Sequence, residues 1–245
     1  MKNFIKVLAT LMLMAAMLFT VSCKKDKVEE PNGGGNSGGG SGTYNGYAYV
    51  DLGLPSGLLW ATCNVGASIP EEDGGYFAWG ETQPKTIYDW TTYQYANFST
   101  PLEDPPLTKY CNNSSYGYNG FADNLTTLLP EDDAATANWG EGWRMPTEEE
   151  FAELFSNTTV TWVTQNGATG GLFTATNGNS LFLPAGGYRL SSYLFYAGSY
   201  GYFWSSSLYT DNPYVALGYC FGSGDYCMYG SGRGDGRSVR PVRSR

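Results

Sequence analysis

Few residues of this 245-residue chain are able to do chemistry, because it contains no histidine. That absence removes Ser-His-Asp and Cys-His nucleophilic sites, histidine-ligated metals and the commonest general base. Five cysteines remain. Cys220 and Cys227 flank Gly222-Ser223-Gly224-Asp225, which reads as a hairpin turn with Ser223-Gly224 as its two-residue loop. Such a hairpin sets the two cysteines directly opposite one another, within disulfide reach. Cys63 and Cys111 either form a structural disulfide or stay as two buried thiols, and the sequence leaves both open. Paired carboxylates are the means of glycoside cleavage, but Glu148-Glu149-Glu150 belong to a capped helix start. Glu71-Glu72-Asp73 sit in a loop before Gly74, and neither run has a partner to complete a pair. Glu131, Asp132 and Asp133 lack the spaced pattern of a calcium loop and read as first-turn helix acids. No catalytic residue, metal or cofactor is expected.

The elements that must position any site are short. Tyr47–Leu52 and Leu58–Thr62 read as strands around the turn Pro55-Ser56-Gly57. Two helices stand out. One follows Pro130 through Asp132-Asp133-Ala134-Ala135-Thr136-Ala137. The other begins at Thr147, with Glu150 completing a capping box and Phe151, Leu154 and Phe155 as its buried face. Beyond Trp162 the chain reads as strand and loop. Strands are expected at Ser180–Leu183, closed by Pro184, at Tyr202–Ser207, and at Ser238–Val242 with Arg240 on one face. This is an α+β pattern with a loop-rich second half.

That second half has an odd composition. All seven Lys, all twelve Glu and all three Gln lie at or before Gln165, whereas residues 166–245 hold ten of the twenty Tyr. Lys, Glu, Gln, Met and Trp are the residues that no codon ending in C or T encodes. The tail reads almost as if written in such codons, with Trp204 and Met228 as exceptions. The alternative is that Tyr/Gly-rich β-structure simply uses few long charged side chains.

The N-terminus reads as a processing segment. Lys2 and Lys6 precede an apolar run from Val7 to Val21, short of the roughly 20 residues of a membrane span. Thr20-Val21-Ser22 then leads into Cys23 in the manner of a bacterial lipoprotein signal, with Cys23 as the lipidated residue. Residues 23–43 are a Gly/Ser-rich tether, and residues 44–245 are one domain. Losing Lys2 and Lys6 with the signal lowers the net charge by two, from −9 to −11. So acidic a domain has no electrostatic means of holding a phosphate backbone, so nucleic acid is not a partner.

Several segments together resemble a known family. They are Asp51–Ala61, Gly75–Glu81, Trp143–Thr147, Phe182–Arg189, Trp204–Ser207 and Ser238–Val242. In this order they resemble the major paralogous domain first described in Fibrobacter and common in Bacteroidetes lipoproteins. The resemblance implies a C-type-lectin-like fold of the formylglycine-generating-enzyme branch, a lipid-anchored place on the outer membrane facing the exterior, and a protein or glycan ligand on another surface. The branch includes an oxidase that works through a cysteine pair, for which Cys220 and Cys227 are nominees. It also supplies the variable proteins of diversity-generating retroelements, in which adenines at the 3′ end of the gene are randomised. Within a variable region at 186–237, the resemblance implies a ligand face. It comprises Tyr193, Phe195, Tyr196, Tyr200, Tyr202, Tyr209, Tyr214, Val215, Gly218, Cys220, Gly222, Gly224, Asp225, Tyr226, Cys227, Tyr229, Gly230, Ser231, Gly232, Gly234 and Asp235. Trp204, Ser205, Ser206, Phe221, Met228, Arg233, Gly236, Ser238, Val239, Arg240 and Pro241 would be its fixed framework. Tyr, Gly, Ser and Asp suit a paratope, since Tyr offers rigid contact area at low entropic cost. Tyr188 and Tyr219 are expected in the core.

Overall fold

The computed structural model describes residues 40–98 and 105–245. The signal segment, Cys23 and most of the tether lie outside the described residues. The folded unit starts slightly before the boundary read from sequence, because strand β1 (Gly42–Tyr44) is already paired. Asn45 and Gly46, both at positive φ, turn it into β2 (Tyr47–Asp51) in the Asn-Gly hairpin geometry. Two further strands, β3 (Leu59–Ala61) and the C-terminal β12 (Val242–Arg243), complete an antiparallel sheet of order β1-β2-β3-β12. Of the strand expected at Ser238–Val242, only Val242 joins this ladder. Ser238 makes an isolated bridge to Phe203 instead, and Val239 and Pro241 accept hydrogen bonds from loop and strand amides.

Both expected helices are present. Helix α1 (Ala134–Trp139) is capped by Asp133, whose carboxylate accepts from the amides of Ala135 and Thr136. Helix α2 (Glu148–Ser156) starts with the full Thr147/Glu150 capping box, and Arg144 grips Glu150 with both guanidinium nitrogens at 2.6 and 2.7 Å. A second sheet follows, β4 (Thr158–Gln165), β5 (Ala168–Ala175) and β6 (Ser180–Pro184), in that order. Strands β7 (Tyr188–Leu190) and β8 (Tyr193–Phe195) form a small hairpin. The last sheet holds β9 (Gly201–Leu208), β10 (Val215–Phe221) and β11 (Tyr226–Gly232), with β11 at one edge. The class is thus strand-rich, loop-rich α+β, with two helices and several small sheets.

Two apolar cores meet at β9, because successive residues of a strand point to opposite faces. Phe203 packs with Trp60, Phe151, Phe155, Phe173, Tyr219 and Phe221. Its neighbour Trp204 packs with Trp79, Tyr110, Trp139, Trp143 and Val239. Rings this large dominate the burial energy, at about 1.5–3 kcal/mol for each fully buried side chain. The Trp204 indole donates to the Phe77 carbonyl at 2.8 Å and Trp79 to that of Ser205 at 2.9 Å, whereas the buried Trp60 indole nitrogen has no partner among the described residues.

Candidate ligand-binding face

The register of the last sheet decides which tail residues stand together. Tyr202, Cys220 and Cys227 are opposite one another, as are Trp204, Gly218 and Tyr229, so these six share one face. Across that face lies Arg237, held by paired backbone bonds to Phe77. Its guanidinium sits 4.5 Å from the Trp204 ring centroid, 4.9 Å from Tyr229, 5.2 Å from Tyr202 and 5.9 Å from Tyr188.

Around this centre the tyrosines form a connected platform. Tyr188 stacks on Phe195 at 5.6 Å and meets Tyr202 edge-on at 5.0 Å. Tyr196 contacts Tyr188, Tyr200 and Tyr202, and Tyr202 reaches Tyr229. Tyr193, 68% exposed, extends the platform through Phe195. The β7–β8 hairpin is moored on both flanks: Arg189 exchanges backbone bonds with Gly236, and Ser191 does so with Tyr88. Tyr196 adopts a left-handed backbone conformation (φ 57°), which costs about 1–2 kcal/mol. Its carbonyl accepts from the amides of both Ser199 and Tyr200.

Arg237 has no solvent exposure, and its Nε and Nη1 have no hydrogen-bond partner among the described residues. Burial pushes its pKa down to about 10 against the opposing pull of Asp235. Asp235 itself is raised, chiefly by burial, although Ser231 donates to its carboxylate at 2.5 Å. The electron-rich ring faces stand where hydrogen bonds would otherwise be, and desolvated cation–π contacts of this kind are worth up to about 2 kcal/mol.

The structure gathers Tyr193, Phe195, Tyr196, Tyr200, Tyr202 and Tyr229 into one face, with Cys227 exposed on it. Gly224 and Asp225 lie exposed at the hairpin tip, and Gly232 and Asp235 lie half-buried near the base. Other expected members belong elsewhere. Tyr214 packs against Trp90 and Tyr116, and Tyr209 stands apart beyond the end of β9. Tyr226 lies on the reverse of the sheet, stacked on Phe155 of α2 at 4.8 Å, and Val215 and Gly230 face the same way. Gly218, Cys220, Gly222, Ser231 and Gly234, expected on the ligand face, are instead buried and present no surface to a ligand. At Gly218 any Cβ would meet the Phe203 carbonyl oxygen at 2.4 Å, and at Gly234 it would meet the Asp89 backbone at 3.0 Å.

Met228, expected in the fixed framework, is 52% exposed, because its strand is the sheet edge. Sequence reasoning missed Tyr188, which it placed in the core, and Arg237 under the platform. The signal for Arg237 was present: Arg233, Arg237 and Arg240 follow at short spacings in a stretch with no acid to pair them but Asp235.

The cysteines resolve differently. Cys220 and Cys227 are disulfide-bonded across the hairpin, with Cα atoms 5.4 Å apart. Cys111 is a buried free thiol that burial makes less acidic than usual, so the Cys63–Cys111 bridge is not formed. Among the described residues no group of His, Cys, Asp and Glu is disposed to hold a metal, and no helix is long and apolar enough to cross a membrane. No family model, curated protein or solved structure matches this chain.

Proposed function

We propose that this is a lipid-anchored, surface-displayed binding protein with a C-type-lectin-like fold, whose Tyr/Gly/Ser/Asp face takes a ligand on another surface and is diversified by a retroelement. The observation that carries the reading is the aromatic platform. Tyr193, Phe195, Tyr196, Tyr200, Tyr202 and Tyr229 present one connected surface, and they come from the part of the chain that lacks Lys, Glu and Gln. An exposed aromatic patch on an otherwise acidic molecule is the signature of an interaction site. Tyrosine gives it rigid amphipathic area without catalytic chemistry. Binding rather than catalysis is also favoured by the histidine-free sequence and by the Cys220–Cys227 bridge, which occupies the nominated oxidase pair in a hairpin turn.

Deep sequencing of codons 186–245 in a growing population tests the diversified reading. The expected result is substitution concentrated at the exposed platform positions, with Trp204, Gly218 and Arg240 constant. A single sequence, with no near-copy of the region elsewhere in the genome, would leave a fixed-specificity glycan-binding or structural envelope protein. Formylglycine formed in an incubation with a cysteine-containing sulfatase peptide would overturn the binding-only reading.

A further inference from the structure

The last sheet ends on β11, and that edge is open. Gly222 N–H bonds to the Asp225 carbonyl at 2.8 Å, and Arg233 N–H to that of Tyr214 at 3.0 Å. These two bonds fix the parity of the ladder, so Cys227, Tyr229 and Ser231 turn their backbone groups toward β10. Tyr226, Met228 and Gly230 point theirs outward, and none of those six groups has a partner among the described residues. A row of this kind is a template for another strand. The usual protections are missing from Tyr226–Gly232: it holds no lysine, no proline and no charge, and its pairing with β10 has no bulge.

We infer that β11 pairs antiparallel with β11 of a second copy of this chain, about a two-fold axis through Met228. The register is self-complementary. Met228 meets its own copy, and Tyr226 meets Gly230 on each side. All three outward-facing residues then lie in hydrogen-bonding positions, and the six backbone groups of each copy pair in full. Charge restricts where two copies can meet. The chain carries a net charge of −9, and two copies repel over most of their surfaces. The edge itself is neutral, and the register keeps the two Asp225 side chains about 20 Å apart, beyond the Debye length at physiological salt. The product is a continuous six-stranded sheet with Tyr229 of both copies on the same side. Pairing of this kind is independent of the nature of any ligand.

Sedimentation velocity of the full-length chain in density-matched detergent, from about 1 to 100 μM, tests it. The wild type is expected to pass from monomer to dimer across this range. Met228→Pro removes an outward donor and leaves the β10 ladder intact. Met228→Lys keeps every backbone group but sets two cations face to face. Both variants are expected to raise the dissociation constant about tenfold or more while retaining the wild-type near-ultraviolet circular dichroism. If the proline variant does not fold, the lysine variant alone decides. A wild type that stays monomeric throughout overturns the inference and leaves the edge to an extended peptide of another protein. Variants that dimerise as well as the wild type overturn it too, since the contact then lies elsewhere.

Discussion

Arg233 and Arg237 are both wholly buried against aromatic rings, yet they differ in their hydrogen bonds. Arg233 donates to Tyr93 Oη and to the carbonyls of Lys109, Tyr110 and Pro213 at 2.8–3.0 Å, so its fork is almost fully used. Arg237 has rings in place of acceptors. Removing the side chain opens a cavity beneath Tyr202 and Tyr229 and loses several cation–π contacts. Arg237→Ala is expected to cost about 3 kcal/mol, as large-to-small changes in a core do, read from urea unfolding. Near-ultraviolet signals of the tyrosines should fall with it. A variant as stable as the wild type would show that the platform does not rest on this cation. The spacing of the arginines marks this stretch in the sequence, but not which of them finds carbonyls and which finds only rings.

Elements were more legible than residues. The Thr147 box and the apolar triplet of α2 define that helix from local signals alone, and Asp133 announces α1. The β4–β5 hairpin carried an equally local sign, Asn166-Gly167 with both residues at positive φ, yet strand and loop were not told apart there. The reason is that β4 is exposed and half-buried by turns, without a core-facing alternation strong enough to mark its ends. The site suffered from a different blindness. A list of tail positions ignores the two-residue period of strands, so Tyr226 and Tyr229 were grouped although they face opposite ways. Local packing also yields a sharp contrast between two glycines of one hairpin. Gly218→Ser drives a Cβ into the Phe203 carbonyl, whereas at Gly224 a Cβ would have nothing within 4 Å. Thermal melts of Gly218→Ser should fall clearly below those of Gly224→Ser, which should match the wild type within about 0.5 kcal/mol. Equal melts would place Gly218 outside the rigid centre of the sheet.

At the scale of the whole molecule, the acids set how stability varies with pH. Burial raises Asp73, Asp133, Asp235 and Glu148 above their ordinary values. Such groups bind protons more readily folded than unfolded, so each adds stability as pH falls through its folded pKa. Asp132 works the other way. Burial pulls it up, but hydrogen bonds from Lys109, Tyr110 and Tyr95 outweigh that and hold it low. Its contribution is present above the unfolded pKa and is lost as pH falls through the folded one. Urea midpoints are therefore expected to rise as pH falls through the range where the buried acids take up protons, and to drop again once Asp132 is protonated. In Asp132→Asn the acid-side loss should shrink and the neutral-pH stability should fall by about 2 kcal/mol. A midpoint that declines steadily from pH 8 to pH 5 would contradict this balance.

The four-stranded sheet also has a consequence for how the chain can be rewired. Its order, β1-β2-β3-β12, places the first and last strands of the folded unit at opposite edges of one sheet, about 14 Å apart at the usual strand spacing. The folded unit from Gly42 to Arg245 is thus nearly a closed ring. A short bridge between Arg245 and Gly42, with new ends opened between Asn166 and Gly167, leaves every strand pairing of the fold in place. Such a permutant would let the aromatic platform be carried from a different point of the molecule.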